Sequence, residues 1–411
     1  MVGCVVTTAD VVIVGAGPAG LSAAIAIRRL GVADVVVLER EREAGGVPRH
    51  TGHLGYGIRD LHRLMTGPRY AQALRTQAER AGARIATSTT ATDWAGPTQL
   101  QIATAQGMST IAARAIVLAT GVRERPRAAR LVPGDSVAGV FTTGALQQLT
   151  HQYHQTPGRV AVIVGAEHVS FSAVLTLRHA GCRVAAMVTP LPRHQTYSPI
   201  RLATATRYRV PVVTGADLAE IHGRSRVEAV TLTNGTRIEC DTVVFTGDWI
   251  PDHELARRGA IVIDHNHRGP VVDGASRTGR AGVFAVGNLV HPAETADVCA
   301  LGGRHAATSV RQFLSDGSWP TTPLRVIPEA PILWISPAIL HPGTALARDR
   351  FVLRVSEFLH SRTIAVTQGE HVLWHGNVVG ALVPNRSISI AADWVDMVDP
   401  AGADIVVRLN D

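Results

Sequence analysis

The sequence is poor in cysteine. Its four cysteines, Cys4, Cys182, Cys240 and Cys299, are far apart and form no C-x-x-C pair. This spacing excludes a disulfide scaffold and a metal site built from neighbouring residues. We therefore expect reduced thiols and a cytoplasmic location, and we interpret Cys299 as a small buried residue.

Aromatic residues and runs of like charge are also scarce. Aromatic residues make up 4% of the chain, and the net charge of +7 comes from scattered arginines. Without a zinc-finger or RNA-binding signature, a nucleic-acid partner is not expected. Because no apolar run is long enough and the first predicted strand begins by Asp10, we expect neither a membrane span nor a signal peptide. Apolar residues still make up 46% of the 411 positions, which indicates a packed protein of two or three domains.

The strongest pattern lies near the start of the chain, in DVVIVGAGPAGLS from Asp10 to Ser22. The unbroken apolar run predicts a parallel strand buried on both faces, and AAIAIRRLG after it has helical periodicity. Between them, Gly15 allows the tight turn, Gly17 lets the backbone approach a pyrophosphate, and Gly20 lets helix and strand pack closely. A second strand, DVVVLER, ends in Glu39, which is placed to accept a hydrogen bond from a ribose hydroxyl. The pattern predicts a dinucleotide site.

The same plan recurs in the middle of the chain. RVAVIVGAEHVSFSAVLTLRHAG, which begins at Arg159, again predicts a strand, a turn and a helix. Each copy continues into a strand-rich stretch, and the second contains the hairpin turn Asn234-Gly235. The copies end alike, in Thr120-Gly121 and Thr246-Gly247. The chain therefore contains an internal repeat of a βαβ unit followed by a hairpin and a strand.

The last third of the chain begins with GVFAVGN and a long predicted helix. The proline-spaced stretch WPTTPLRVIPEAP predicts a linker. After it, FVLRVS, TIAVT, HVLWH, SISIA and DIVVRL predict short strands, so we expect a β-rich appendage with no chemistry of its own.

These motifs, in this order, resemble the flavoproteins with two dinucleotide-binding domains, the thioredoxin reductase and pyridine nucleotide-disulfide oxidoreductase group. The resemblance covers about Val11 to Leu314. In detail, the chain is most similar to the FAD subunits of amine and opine dehydrogenases and of hydrogen cyanide synthase. The resemblance implies an α/β fold of two Rossmann-like, FAD/NAD(P)-binding three-layer domains. The second domain is inserted in the first, and the β-rich appendage follows.

The resemblance also implies domain boundaries and FAD contacts. The first domain is expected over 1–123 and 248–325, the second over 124–247 and the appendage over 326–411. Asn288 replaces the acid that the family places next to the flavin ribityl chain, and its amide can still accept and donate hydrogen bonds. The helix from about Thr295 is expected to direct N–H groups at the flavin pyrimidine. The FAD-binding residues implied by the resemblance are Gly15, Gly17, Pro18, Ala19, Gly20, Glu39, Arg40, Gly45, Gly46, Thr120, Gly121, Gly287, Asn288, Thr295 and Ala296.

Disulfide reductases of this group carry a redox cysteine pair, and this chain has none. Val47, Pro48, Arg49 and His50 follow Gly46 at one of the two places where the pair occurs. Because disulfide exchange needs a thiolate and a partner sulfur, we exclude that activity. We predict His50 and His53 as catalytic residues that donate protons or contact anions beside the flavin; the alternative is a polar loop with exposed histidines. Further candidates are Tyr56, Arg59, His151, His154, His168 and His291, and no metal site is expected.

The second turn departs from the dinucleotide pattern. In GAEHVS, Glu167 stands where the first copy has Gly17, and Ser170 stands where it has Gly20. A side chain at that position obstructs a pyrophosphate, and a carboxylate repels it. NAD(P) binding is therefore doubtful, although a shifted nucleotide remains an alternative.

We expect an FAD-dependent oxidoreductase, and specifically a dehydrogenase subunit that oxidises a small amine- or amino-acid-type substrate. Its electrons would pass to a partner, which is either a second oxidoreductase subunit or an electron-transfer protein. Two alternatives remain. One is an NAD(P)H-dependent flavin reductase, and the other is a non-catalytic subunit that holds a flavin or nucleotide.

Overall fold

A computed structural model describes residues 6–197, 201–202, 207–341 and 343–410. Cys4 lies outside these ranges. Among the described residues, no helix has the length and apolar content that crossing a membrane requires.

Residues 6–124 form the larger part of the first domain. Their elements are β1 (Val6–Val14), α1 (Pro18–Arg29), β2 (Val35–Leu38), β3 (Leu54–Tyr56), β4 (Met65–Thr66), α2 (Gly67–Arg80), β5 (Arg84–Ala86), β6 (Thr90–Gly96), β7 (Gln99–Thr104), β8 (Gly107–Leu118) and β9 (Val122–Glu124). Strands β6, β7 and β8 agree with the strand-rich stretch that the sequence predicts after the first βαβ unit.

The second domain follows. Its elements are β10 (Val140–Thr142), α3 (Thr143–Gln147), β11 (Val160–Val164), α4 (His168–His179), β12 (Arg183–Thr189), β13 (Val212–Thr214), β14 (Leu218–Gly223), β15 (Val227–Leu232), β16 (Arg237–Glu239) and β17 (Thr242–Phe245). Strands β10, β17, β11, β12 and β13 form a parallel sheet in that order. Asn234-Gly235 joins β15 to β16, whose residues Thr231 and Arg237 pair antiparallel, so the predicted hairpin is confirmed.

The chain then returns to the first domain. The returning elements are β18 (Trp249–Pro251), α5 (Glu254–Arg258), β19 (Val283–Ala285) and α6 (Ala296–Asp316). Strand β18 pairs antiparallel with β9, so the departing and returning segments lie side by side. This pairing shows that the second domain is inserted in the first.

The sheet of the first domain has the strand order β5-β2-β1-β8-β7-β6, and β19 pairs with β8. Strands β5, β2, β1, β8 and β19 are parallel, whereas β7 and β6 run antiparallel. Val11, Val12 and Ile13 have no solvent exposure, as the unbroken apolar run predicted. Helices α1, α2 and α6 cover one face of the sheet.

The β-rich appendage is confirmed. Its strands are β20 (Leu324–Pro328), β21 (Ile332–Ser336), β22 (Ile339–Leu340), β23 (Arg350–Val355), β24 (Leu359–Gln368), β25 (His371–Leu382), β26 (Ile388–Ala391) and β27 (Ile405–Asn410). They form the sheets β22-β20-β27-β24-β25 and β21-β23-β26, with Phe351 stacked on Trp394 between them. The linker prediction is wrong for Leu324–Pro328, which pairs with β27.

Short helical turns connect these elements. The 3₁₀ turns cover Val47–His50, Arg127–Arg130, Gly287–Leu289, Ala347–Asp349 and Val395–Met397, and a π-helical turn covers Gln148–Gln152.

Candidate functional site

The first glycine turn has the geometry that its sequence predicts. Gly15 has φ +105°, and a β-carbon added there would lie 2.4 Å from the carbonyl oxygen of Ala119. One added at Gly20 would lie 1.9 Å from the oxygen of Gly15. At Gly17, by contrast, an added β-carbon would meet no atom within 4 Å. Gly15 and Gly20 are thus required by packing, whereas Gly17 faces open space.

The Gly45-Gly46 pair packs against this turn. The N–H of Gly45 donates to the oxygen of Ala16 at 2.8 Å. Gly46 has φ +64°, and a β-carbon added there would lie 2.9 Å from Cα of Gly17. The two glycine motifs therefore meet at the start of α1.

Glu39 braces the same turn from the end of β2. The carboxylate is buried, and its Oε2 accepts from the N–H of Ala16 at 3.0 Å, while Oε1 accepts from the N–H of Glu41 at 2.9 Å. Each oxygen keeps a lone pair for one further donor, such as a ribose hydroxyl. The ribose role remains a prediction, and the sequence did not reveal the bracing role.

Arg40, Thr120 and Gly121 meet the returning segment at Asp252. Arg40 is exposed and pairs with the Asp252 carboxylate at 3.2 Å. The hydroxyl of Thr120 donates to the main-chain carbonyl oxygen of Asp252 at 2.7 Å. The main-chain N–H of Asp252 donates to the carbonyl oxygen of Gly121 at 2.9 Å. These three predicted cofactor residues therefore also hold Asp252 in place, where the chain returns to the first domain.

Asn288 closes the loop before α6. Its Oδ1 accepts from the main-chain N–H of Glu294 at 2.6 Å, and its Nδ2 donates to the main-chain carbonyl oxygen of Glu294 at 3.1 Å. Gly287, with φ +70°, lies against α1, since a β-carbon added there would be 2.6 Å from Cβ of Ala19. An aspartate could not make the Nδ2 bond, so the asparagine has a local structural role beside its predicted FAD contact.

The start of α6 holds an ion pair between a buried carboxylate and an exposed guanidinium, which the sequence analysis did not identify. Thr295 precedes the helix and Ala296 begins it, while Asp297 in the first turn is buried. Its carboxylate accepts from the N–H of Arg59 and pairs with the Arg59 guanidinium, each at 3.1 Å. Burial favours the neutral acid, but hydrogen bonds from Thr295 and Arg59 and the charge of Arg59 hold the pKa of Asp297 below its usual value. Arg59, a further candidate from the sequence, is thus fixed at the predicted flavin side.

Behind this pair, Tyr70 donates to Oδ2 of Asp60 at 2.6 Å. Both side chains are buried. Burial raises the pKa of Asp60, and burial together with the Asp60 carboxylate raises the pKa of Tyr70. The ring of Tyr56 packs on Tyr70 at a centroid distance of 5.8 Å, so Tyr56 also lies here.

His50 lies in the 3₁₀ turn that follows Gly46. It is buried, and its Nδ1 has no hydrogen-bond partner within the described residues. Burial, with smaller contributions from Arg49 and His151, lowers its pKa to about 4. His50 is therefore a neutral imidazole at pH 7, which suits hydrogen bonding better than the predicted proton donation.

His53 is oriented by a polar network that crosses to the second domain. Its Nδ1 donates to the oxygen of Leu54 and its Nε2 lies against the hydroxyl of Ser172, each at 2.7 Å. Because a carbonyl oxygen only accepts, the neutral ring carries its proton on Nδ1 and accepts from Ser172 at Nε2. Gln147 donates to Ser172 at 3.0 Å and accepts from Thr51 at 3.2 Å, which closes the network.

The first site fits FAD. The open face of Gly17 leaves room for a pyrophosphate, and the first N–H groups of α1 have no acceptor within the helix. The buried Nε of Arg49 also lacks a partner among the described residues, next to Gly45-Gly46. FAD supplies the redox chemistry when bound, and the chain supplies its binding and orientation.

The second turn is filled by its own side chain. Glu167 is buried, and β-carbons added at Gly165 and Gly247 would lie 2.7 and 2.8 Å from its carboxyl oxygens. The N–H of Glu167 donates to Ser170 at 3.2 Å, and Ser170 bonds Thr246 at 2.7 Å. The side chain therefore occupies the space that the sequence analysis expected it to obstruct, and burial raises the pKa of its carboxyl group.

A segment held by the appendage lies beside this turn. The N–H of Gln195 donates to the oxygen of Ala166 at 2.9 Å. Arg386 of the appendage donates to the oxygens of Gln195, at 2.8 Å, and of Thr196. Nδ1 of His168 lies 3.1 Å from the Thr196 hydroxyl. The appendage is therefore connected to the second glycine turn, which no sequence motif indicated.

Of the other candidate histidines, His151 lies beside the turn that carries His50 and His53, since a β-carbon added at Gly52 would lie 2.6 Å from its ring. The His151 ring is tilted against that of His179, and the His291 ring against that of Trp334 of the appendage, each at a centroid distance of 5.0 Å. His154 has a positive φ of +52° in a loop. In the described ranges, no group of histidine, cysteine and acidic side chains is arranged to hold a metal ion.

The described cysteines are free and buried. Burial raises the pKa of Cys182 to about 11, that of Cys240 to about 12 and that of Cys299 still further. Protonated, buried thiols are poor nucleophiles.

Comparison with known proteins is consistent with this site. Residues 9–312 match the family model of the pyridine nucleotide-disulphide oxidoreductases. The chain is 28% identical over 293 residues to the benzene 1,2-dioxygenase system ferredoxin–NAD(+) reductase subunit of Pseudomonas putida, covering 68% of this chain and 66% of that relative. It is 25% identical over 312 residues to an opine oxidase subunit of Agrobacterium tumefaciens, covering 68% of this chain and 61% of the relative. Both matches span slightly less than two thirds of the relative's length.

The solved structure of T. acidophilum thioredoxin reductase shares the fold. It has a TM-score of 0.63 and 24% identity, and the match covers 74% of this chain and 98% of that one. The family match covers more than half of the chain, including both glycine turns and the start of α6. The chain therefore belongs to the pyridine nucleotide-disulphide oxidoreductase family.

Proposed function

We propose that this chain is the FAD-bearing subunit of a dehydrogenase that oxidises a small amine- or amino-acid-type substrate and passes the electrons to a partner protein. One observation carries the proposal: the carboxyl group of Glu167 occupies the second glycine turn, between Gly165 and Gly247. Electrons from a bound nicotinamide are then disfavoured, and a different donor is required. The similarity to the opine oxidase subunit favours an amino-acid-type donor.

The flavin-side loop supports this function. It contains no thiol, and it places His53 in a fixed tautomer and His50 in a buried, neutral state. In our proposal, both histidines form hydrogen bonds to the substrate beside the flavin, and the appendage keeps the second turn closed through Arg386.

The second candidate is an NAD(P)H-dependent reductase that delivers electrons to a carrier protein. Its support is the similarity to relatives named as ferredoxin reductases, which reaches 32% identity over 190 residues for the chlorobenzene dioxygenase component of Cupriavidus. This function requires a nucleotide pose that avoids Glu167.

Anaerobic bleaching of the flavin separates the two functions. The purified, FAD-loaded protein is mixed separately with small amines, amino acids, N-carboxyalkyl amino acids, NADH and NADPH. Bleaching by an amine- or amino-acid-type compound is expected. Rapid bleaching by NADH or NADPH, with none by the other compounds, would establish the second candidate instead.

A further inference from the structure

The hairpin of β3 and β4 exposes large apolar side chains next to the predicted cofactor residues. Leu54 is 59%, Ile58 50% and Leu64 61% exposed, and Val47 just before the hairpin is 54% exposed. We define the hairpin face as Leu54, Ile58, Arg59, His62, Arg63 and Leu64, all of which are exposed. Exposed aliphatic side chains grouped in one short segment indicate a contact surface for another molecule.

The charge of this segment has one sign. Residues 47–69 contain Arg49, Arg59, Arg63 and Arg69 but only one acid, Asp60. Asp60 is buried and accepts a hydrogen bond from Tyr70 at 2.6 Å, so it contributes nothing to the surface. Because Arg59 pairs with the buried Asp297 at 3.1 Å, the hairpin face combines apolar groups with the positive charge of Arg63 and has no exposed carboxylate.

The hairpin is held in a defined shape. Leu54 pairs with Thr66 across the two strands. The N–H groups of Leu61 and Arg63 both donate to the oxygen of Gly57, at 3.2 and 3.0 Å. A surface that is ordered before binding avoids the entropic cost of ordering it on binding.

The hairpin face also lies beside the cofactor-binding residues. The hairpin follows Gly45-Gly46 along the chain, and the N–H of Arg59 donates to Asp297 in the first turn of α6. A protein docked on the hairpin face would thus lie near the flavin side of the site.

We propose that the hairpin face docks the acidic surface of a small one-electron carrier protein. The proposal rests on the proposed function, because it supplies the acceptor for the electrons removed from the substrate. Two carriers each gain one electron, the two-electron-reduced flavin is reoxidised, and two protons are released to solvent. A small apolar contact with complementary charges is typical of transient redox complexes.

The test is binding of a small acidic [2Fe–2S] ferredoxin to the oxidised, FAD-loaded protein, followed by calorimetry. Binding is expected to weaken with added salt, and Arg63→Glu and Leu64→Ser are each expected to weaken it about tenfold. Arg408→Glu and Val379→Ser are the matched controls, since both side chains are exposed on the appendage. The FAD-to-protein ratio verifies that each variant is folded. If Arg63→Glu fails to fold, Arg63→Gln is used in its place, and if Leu64→Ser fails to fold, Ile58→Ser is used.

Three results would overturn the proposal. They are no binding by the wild-type protein at low salt, unchanged binding by both hairpin variants, and equal losses in the controls. Binding to phosphatidylglycerol vesicles without binding to ferredoxin would also overturn it, because the hairpin face would then be a membrane contact. The measurement needs no substrate turnover, so its outcome is separate from that of the proposed function.

Discussion

The Nε2 atom of His53 lies 2.7 Å from the hydroxyl oxygen of Ser172. His53 follows β2 and the glycine pair of the first domain, whereas Ser172 lies on α4 of the second. The histidine predicted to contact substrate is therefore positioned by the inserted domain. The second domain thus contributes a hydrogen bond to His53 whether or not it binds a nucleotide.

Replacing Ser172 tests this role. In Ser172→Ala, His53 loses its donor at Nε2 and Gln147 loses an acceptor, so flavin reduction by the substrate should slow about tenfold, as expected for one lost hydrogen bond. Rapid-mixing kinetics should show the change in the limiting rate more than in the substrate concentration at half-saturation. Ser172→Thr keeps the hydroxyl and should retain most of the rate. Equal rates in wild type and Ser172→Ala would contradict the positioning role.

Substitution of two glycines in the first turn should affect different properties, FAD binding for Gly17 and thermal stability for Gly20. Gly17→Val should fold normally but lose FAD, because the added side chain meets open space where the pyrophosphate is expected. Gly20→Ala should lower the melting temperature, since its β-carbon would lie 1.9 Å from the oxygen of Gly15. The measurements are the FAD-to-protein ratio and thermal unfolding. A Gly17→Val protein that retains FAD would show that the pyrophosphate lies elsewhere.

The burial of His50 predicts a pH-dependent loss of stability. Its pKa is about 4 in the folded protein, against 6.5 for an unperturbed histidine. The unfolded chain therefore binds the proton first as the pH falls through this window, and folding becomes less favourable. Protonation of His50 in the unfolded chain should lower the free energy of unfolding by about 2 kcal/mol between neutral pH and pH 5.

The variant His50→Gln isolates this effect. Denaturant unfolding at both pH values should show a smaller loss for His50→Gln than for wild type. His360→Gln, at an exposed position, should behave as wild type. Identical pH dependence in wild type and His50→Gln would show that His50 is not held neutral.

Removing the side chains that fill the second glycine turn should allow the protein to bind NADH. Glu167→Gly with Ser170→Gly vacates the space between Gly165 and Gly247, so NADH should bind measurably more tightly than to wild type. Loss of the Ser170 contact at the start of α4 should cost about 1 kcal/mol of stability, with the FAD content unchanged. Glu167→Gln removes the charge but keeps the volume. Restored NADH binding in Glu167→Gln would show that charge, and not space, was the obstacle.

The first glycine turn could be predicted because its determinants are local. Gly15, Gly17, Gly20 and Glu39 belong to one βαβ unit, whose spacing fixes their relative positions. The unbroken apolar run of β1 likewise identified a parallel, fully buried strand.

Contacts between distant segments could not be predicted. His53 and Ser172 are 119 residues apart, and Arg386 and Gln195 are 191 apart. Such contacts depend on how whole domains pack, which no local pattern encodes. The prolines near β20 led to the linker prediction, but Pro328 stands at the end of its strand, where the missing N–H is tolerated.

The most direct test of the account is anaerobic titration of the oxidised wild-type protein with NADH and NADPH, followed through the visible absorbance of FAD. Because Glu167 fills the second turn and Arg386 holds the adjoining segment, the account predicts no rapid bleaching at micromolar nucleotide. A chemical reductant should bleach the same sample fully, which shows that the flavin is competent. Rapid, stoichiometric bleaching by micromolar NADH or NADPH would contradict the account.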